Sequence, residues 1–326
     1  MRKLVVLILS LASIGVGLVG AQQSEPPAWA YNVVNTPPAG GQPAAAPAPD
    51  DSPKKLPGSS GAFTLQQIRD GFGPADWYPD DHPKMPPIVA SGKKPDVRAC
   101  SLCHYPNGKG RPENAGVAGL PRSYFLQTMA DFRSGDRKSA EARKANTNIM
   151  IAIAKGMTDE EIGAAADYFG SMKWTPWIKV VEADTVPKTR VAGGMFLRVE
   201  GGGTEPIGNR IIETPDDAER TEVLRDPRSA FTAYVPKGSL AKGKTLVTQG
   251  GGKTVQCGVC HGPDLKGLGP VPGLAGRSPS YVVRQLFDMQ HGARKGVWTE
   301  LMMPVVKNLT NDDMLAIAAY TASLAP

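Results

Sequence analysis

The stretch Cys100-Ser-Leu-Cys103-His104 returns 157 residues later as Cys257-Gly-Val-Cys260-His261, and these are the only four cysteines among 326 residues. Two thiols three residues apart, followed at once by an imidazole, have a specific use. The thiols reach the two vinyl groups on one edge of a haem and form thioethers, and the histidine falls under the iron as a ligand. A dithiol redox pair has no need of the histidine. A zinc site built from both pairs leaves two histidines without a role, and so do disulfides. The reading is two covalently attached haem c groups, one held by Cys100, Cys103 and His104, the other by Cys257, Cys260 and His261.

Outward from each histidine the same residues recur at the same distances. Lys109-Gly110 and Lys266-Gly267 stand five and six residues on, and Ala118-Gly119 coincides with Ala275-Gly276. Tyr124 and Tyr281 lie at twenty, while Gly135 and Arg137 match Gly292 and Arg294 at thirty-one and thirty-three. Such agreement marks two copies of one unit. The stretch between tyrosine and glycine reads as a helix closed by a C-terminal glycine. Thr158-Asp-Glu-Glu161 is a capping box, and Ile162, Ala165, Ala166 and Phe169 follow at helical spacing. Thr310 opens the matching helix, with Met314, Ile317 and Ala318 inward, and Tyr168 and Tyr320 each lie ten residues past their threonine.

Each iron needs a sixth ligand, and a methionine thioether suits an electron carrier because it favours the ferrous state. Among eleven methionines, Met150 and Met302 form the equivalent pair, each eight residues before its helix-opening threonine. They are the expected partners of His104 on the first iron and His261 on the second, with Met303 a direct competitor for Met302. Met157, Met172, Met289 and Met314 read as helix packing. His82 and His291 read as solvated surface residues, with His82 in reserve as a ligand to the first iron. Arg137 and Arg294, by their equivalence, are candidates to pair with haem propionates.

The ends and the charge set the context. Arg2 and Lys3 precede an uncharged apolar run, residues 4–19, and Val19-Gly20-Ala21 offers a cleavage site, so 1–21 reads as a secretory signal peptide. Covalent haem attachment of this kind also belongs outside the cytoplasmic membrane, which points to the periplasm. Residues 22–60 carry nine prolines up to Pro57 and read as an extended Pro/Ala-rich tether, with Trp29 and Tyr31 of open role. The chain has 37 Lys and Arg against 31 Asp and Glu, and removal of Arg2 and Lys3 takes the net charge from +6 to +4. With no basic stripe and no run of like charge, nucleic-acid binding is excluded, and no stable membrane span is expected after signal cleavage.

At the two motifs, the Tyr–Gly–x–Arg spacing, the methionines and the terminal helices, the chain resembles the class I c-type cytochromes, most closely the tandem di-haem members of bacterial periplasms. The resemblance implies an all-α fold class with two haem domains in tandem, 61–178 and 237–326, their N- and C-terminal helices crossing near the haem. A long irregular, partly β segment, 179–236, joins them, either bracing the domains or offering a docking surface. The second copy has a candidate N-terminal helix at 239–247. The first has only a proline-rich approach, 83–95, so 64–72 is expected to take that place. The resemblance implies an electron carrier rather than an enzyme. It would pass single electrons between redox proteins, from a dehydrogenase or membrane respiratory complex to a terminal acceptor such as an oxidase. One alternative is a cytochrome subunit bound permanently to a dehydrogenase or oxidase. Another is a di-haem peroxidase that recruits His82 or Glu113, which the symmetric methionine pattern disfavours.

Overall fold

The computed structural model describes residues 25–33 and 50–326; the segment read as a signal peptide and part of the proline-rich stretch lie outside the described residues. Ahead of the inserted segment come α1 (Ala28–Tyr31), α2 (Leu65–Ile68), α3 (Pro87–Ala90), α4 (Cys100–His104), α5 (Arg122–Ser134), α6 (Ala145–Gly156) and α7 (Asp159–Gly170). Strands follow: β1 (Ile178–Ala183), β2 (Thr185–Pro187), β3 (Thr189–Ala192), β4 (Met195–Arg198), β5 (Thr204–Pro206), β6 (Ile212–Pro215) and β7 (Phe231–Pro236). The second copy holds α8 (Ser239–Gln249), α9 (Gly258–His261), a short pair β8 (Gly267–Leu268) and β9 (Val271–Pro272), α10 (Pro279–Gln290), α11 (Met303–Val306) and α12 (Asn311–Ser323).

Local chemistry sets the helix ends. Thr158 and Glu161 exchange side-chain and backbone hydrogen bonds at the start of α7, and Thr310 and Asp313 do so at the start of α12. The α5 helix stops at Gly135, whose φ of 82° is a left-handed conformation that suits glycine. On α7, Ile162, Ala165, Ala166 and Phe169 are all buried and pack with Phe125, Met129 and Phe132 of α5. On α12, Met314, Ile317 and Ala318 are buried in the second core with Leu246 and Val247 of α8 and Val283 and Phe287 of α10.

The α8 and α12 helices cross at close range. A Cβ on Gly243 would lie 2.0 Å from the carbonyl oxygen of Ala316 and 2.7 Å from Cβ of Tyr320, so only a residue without a side chain lets these helices cross. In the first copy the structure departs from the expectation for 64–72. The α2 helix in that stretch, capped by Thr64 and Gln67, packs its Ile68 with Leu56, Trp77, Tyr78 and Leu224 of the inserted segment, outside the core of the first copy. It is α3 that meets α7, with Ile88 and Val89 buried in the first core. The proline-rich approach excludes a long helix because each proline removes a donor, so a single turn does the covering.

The inserted segment is partly β, as expected, with loops and a helical turn at 219–223 between its strands. In its main sheet β7 is central, parallel to β1 (Ile178 opposite Phe231) and antiparallel to β6 (Ile212 opposite Tyr234). The pairs β2–β5 and β3–β4 are antiparallel. Trp177, Met195, Leu197 and Phe231 form one small core, and Val186, Ile207 and Ile212 another. The tether expectation is corrected for residues 25–33, which are packed rather than solvated. Tyr31 is buried and donates its hydroxyl to Asp288 of α10 at 2.7 Å, while Trp29 packs partly buried on the second core.

Replacing Gly243 by valine forces a branched, three-carbon side chain against the backbone of α12. We expect a loss on the order of 3 kcal/mol, the upper range for overpacking, read as a lower denaturation midpoint in urea. A change below about 1 kcal/mol would show that α8 and α12 slide apart freely.

Candidate haem-binding site

Each CxxCH motif forms a single helical turn, α4 in the first copy and α9 with Cys257 at its head in the second. Both histidines are buried, and each ring is oriented by a backbone carbonyl eleven residues on. The His104 Nδ1 lies 2.8 Å from the Ala115 oxygen, and the His261 Nδ1 lies 2.7 Å from the Pro272 oxygen. A carbonyl can only accept, so the proton sits on Nδ1 and Nε2 is left with its lone pair. Burial lowers the proton affinity of both rings and keeps them neutral. Burial also pushes the Cys100 thiol up to about 12 and the Cys257 thiol up to about 11.

Above each motif lies an apolar cleft. Cys100, Cys103 and His104 line the first with Val117, Phe125, Phe132 and Phe169. Cys257, Cys260 and His261 line the second with Leu274, Val282, Leu286 and Ile317. Met150 lines the first cleft and Met302 the second, whereas Met303 is 38% exposed and does not line it. Met150 stands within the helix α6 rather than in a loop. Three residues read as packing also reach the walls or cores: Met157 and Met289 line the clefts, and Met314 is fully buried. Met129 lines the first cleft as well, although its place in α5 gives no ligand-like signal in the sequence.

The histidines outside the motifs are half-buried and held by neighbours. His82 bonds through Nε2 to Asp76 at 3.1 Å and lies edge-on to Tyr168, with its side chain 4% exposed. His291 stacks on Phe287 with ring centres 3.8 Å apart. Neither is among the residues lining the clefts.

The two clefts share walls. Tyr124, Tyr281 and Gln285 line both. Arg137 donates to the hydroxyl of Tyr281 at 3.0 Å, and Arg294 donates to the hydroxyl of Tyr124 at 3.0 Å, so each copy's arginine serves the other copy's tyrosine. The backbones pair there too: the Lys138 amide donates to Ala293 and the Lys295 amide donates to Asp136, both at 2.8 Å.

The cytochrome c family pattern matches residues 240–325. A cytochrome c-554(548) of Halomonas halodenitrificans is 40% identical over 68 residues, which are 21% of this chain and 82% of that protein. The chain belongs to the cytochrome c family. A thiosulfate dehydrogenase electron acceptor of Stutzerimonas stutzeri is 26% identical over 237 residues, covering 72% of this chain and 82% of that one. A solved cytochrome c4 of Acidithiobacillus ferrooxidans aligns at 23% identity with a TM-score of 0.44, over 69% of this chain and 98% of that chain.

The residues of this cytochrome fit covalent haem c. Paired thiols, a histidine with a free Nε2 and an apolar wall stand together in each cleft, and Nε of Arg294 is buried at the second cleft without a partner. A propionate is an acceptor of the kind that Nε lacks. The first cleft adds a buried cation. Burial, and next the charge of Arg284, bring Lys144 down to about 7 against the attraction of Glu113.

Below about pH 7 Lys144 is charged, and a cation at the cleft disfavours the more positive ferric state, which raises the midpoint potential. As pH rises through about 7 that charge is lost and the potential falls. We expect one midpoint to drop by roughly 50 mV between pH 5.5 and 8.5, the scale of one charge about 10 Å away at intermediate dielectric. Lys144→Met should hold that midpoint at the lower value throughout, as followed by potentiometric titration.

Proposed function

We propose that this cytochrome is an exported di-haem electron carrier of the periplasm, with haem c on Cys100, Cys103 and His104 in one domain and on Cys257, Cys260 and His261 in the other. Met150 and Met302 are the sixth ligands. The domains are 61–178 and 237–326, with 179–236 bracing them. The single observation that carries the reading is the pair of clefts with a common wall at Tyr124, Tyr281 and Gln285. Bound haem c supplies a one-electron couple at each iron.

The protein's own part is to hold, insulate and connect. The Ala115 and Pro272 carbonyls fix the imidazoles, and the buried aliphatic and aromatic walls exclude water from the iron faces. Arg137 and Arg294 lie at the seam, where they offset negative charge on groups held beside it. Among the described residues no helix is long and apolar enough to cross a membrane. The relative named as a thiosulfate dehydrogenase electron acceptor supports a dehydrogenase as donor. His82, clipped to Asp76 away from the clefts, is poorly placed to serve a peroxidase.

The ligand assignment is tested by the ferric sulfur-to-iron absorption band of the purified protein. Met302→Ala should remove about half of it and let one haem bind carbon monoxide, a two-haem, two-methionine outcome. Met303→Ala should leave the band intact. The reverse result would transfer the ligand role to Met303, and a wild-type protein without the band would remove methionine ligation altogether.

A further inference from the structure

The repeat places Leu102 and Val259 at the same point, inside the first and second CxxCH motifs, yet Leu102 is 9% exposed and Val259 is 64% exposed. The turn at 219–228 of the inserted segment lies against the first motif. Arg225 donates to the Leu102 carbonyl and lies over the Tyr105 ring, and Asn107 donates to the Pro227 carbonyl at 2.6 Å. Arg111, beyond the motif, pairs with Glu222 at 3.0 Å, whereas the matching position in the second copy is the exposed Leu268. Arg225 adopts a φ of 53°, unfavourable for a side-chain-bearing residue, and these contacts hold it there. Among the described residues nothing equivalent covers the second motif, where Cys260 is exposed.

The open copy also collects exposed apolar surface. Among the described residues eight large hydrophobic side chains are exposed, and six of them, Val255, Val259, Leu268, Val297, Leu301 and Met303, belong to the second copy. Val255, Cys260 and Leu301 line its cleft. Exposed apolar side chains at the mouth of a cleft, as Val255 and Leu301 are, mark an interaction site. The surrounding charge is positive. Residues 237–326 hold ten Lys and Arg against five Asp and Glu; with the buried Arg277, Arg284, Arg294, Asp288 and Asp313 set aside, seven lysines face three acids. Lys253, Lys266, Lys295 and Lys307 are exposed within four residues of the apolar group in sequence.

We propose that residues 219–228 seal the first CxxCH edge and that protein partners exchange electrons only at the second, on a surface suited to a redox protein with an apolar centre and an acidic rim. This rests on the electron-carrier reading above. Charge complementarity steers the encounter, and the apolar centre supplies a short-lived contact.

The test uses the purified two-haem protein on a gold electrode carrying a mixed carboxylate- and methyl-terminated monolayer, with adsorbed mass and interfacial electron-transfer rate measured separately. Val259→Glu and Lys266→Glu should each lower both quantities, the rate at least tenfold, with unchanged midpoints and melting. Arg190→Glu, which alters net charge as much as Lys266→Glu but lies exposed on β3, should leave both within twofold. If Arg190→Glu slows exchange while the other two do not, the port lies elsewhere and the proposal falls, with the carrier reading intact. If all three match wild type, the single-port assignment falls as well. A wild-type protein that adsorbs yet gives no reversible wave on any monolayer would overturn the carrier reading itself.

Discussion

A buried guanidinium must find acceptors, and at the centre of this molecule two of them find each other's copies. Arg137 and Arg294 are each over 90% buried, and each donates to the phenol of the opposite copy. The cost of burying a cation without partners runs to several kcal/mol, so a shift of one copy against the other that keeps the seam buried is opposed by the loss of these bonds. Gln285 accepts from both arginines at 2.9 Å and makes the seam a closed network rather than two separate contacts. The positions of the two clefts relative to one another follow from that network.

The rest of the assembly repeats the same logic with different atoms. Arg284, buried on α10, donates to the Ala30 carbonyl at 2.6 Å and to the Pro112 carbonyl at 2.7 Å, tying the N-terminal segment to the loop beyond the first motif. Arg277 donates to Gly116 and Ala118 of the first copy, and its guanidinium lies over Trp174. Glu213, buried on β6, accepts from Ser278 and from the Ser280 amide at the head of α10, joining the sheet to the second copy. Apolar packing supplies the bulk of the cohesion in each core, but these directional bonds decide how the cores are set against each other.

Those features that arise within one short stretch of chain were legible in the sequence. The motifs, the Thr158 and Thr310 caps and the inward faces of α7 and α12 depend on residues within a few turns of each other, so spacing reveals them. What depended on distant partners was not. Nothing local distinguishes the docked Tyr31 from a free surface aromatic, because its partner Asp288 is 257 residues away. Likewise 64–72 carries a sound capping box, and only the fold shows that Ile68 turns to Leu224 instead of the first core. His82 read as solvated because a proline-rich, acidic neighbourhood hides Asp76 and Tyr168 as its partners. The carbonyls of Ala115 and Pro272 leave no mark, since any residue offers a carbonyl. Arg137 and Arg294 were singled out by equivalence, and only the fold shows that they reach across to Tyr281 and Tyr124.

Duplicated domains begin alike, and the differences between these two concern access. Arg111 and Glu113 of the first copy are replaced by Leu268 and Pro270 at the matching offsets, so the position that meets the inserted segment through Glu222 becomes an apolar surface in the second. The first pair suits a covered surface: Glu113 is 3% exposed and lies against Arg111. The second pair suits an open one. On the proposed single port, the common wall at Tyr124 and Tyr281 lets one open edge serve both clefts, and a difference in potential between haems bound there decides which is filled. Each 59 mV shifts that preference tenfold. The buried charges of the first cleft, among them Lys144, are therefore as much a part of the carrier's behaviour as the exposed face of the second.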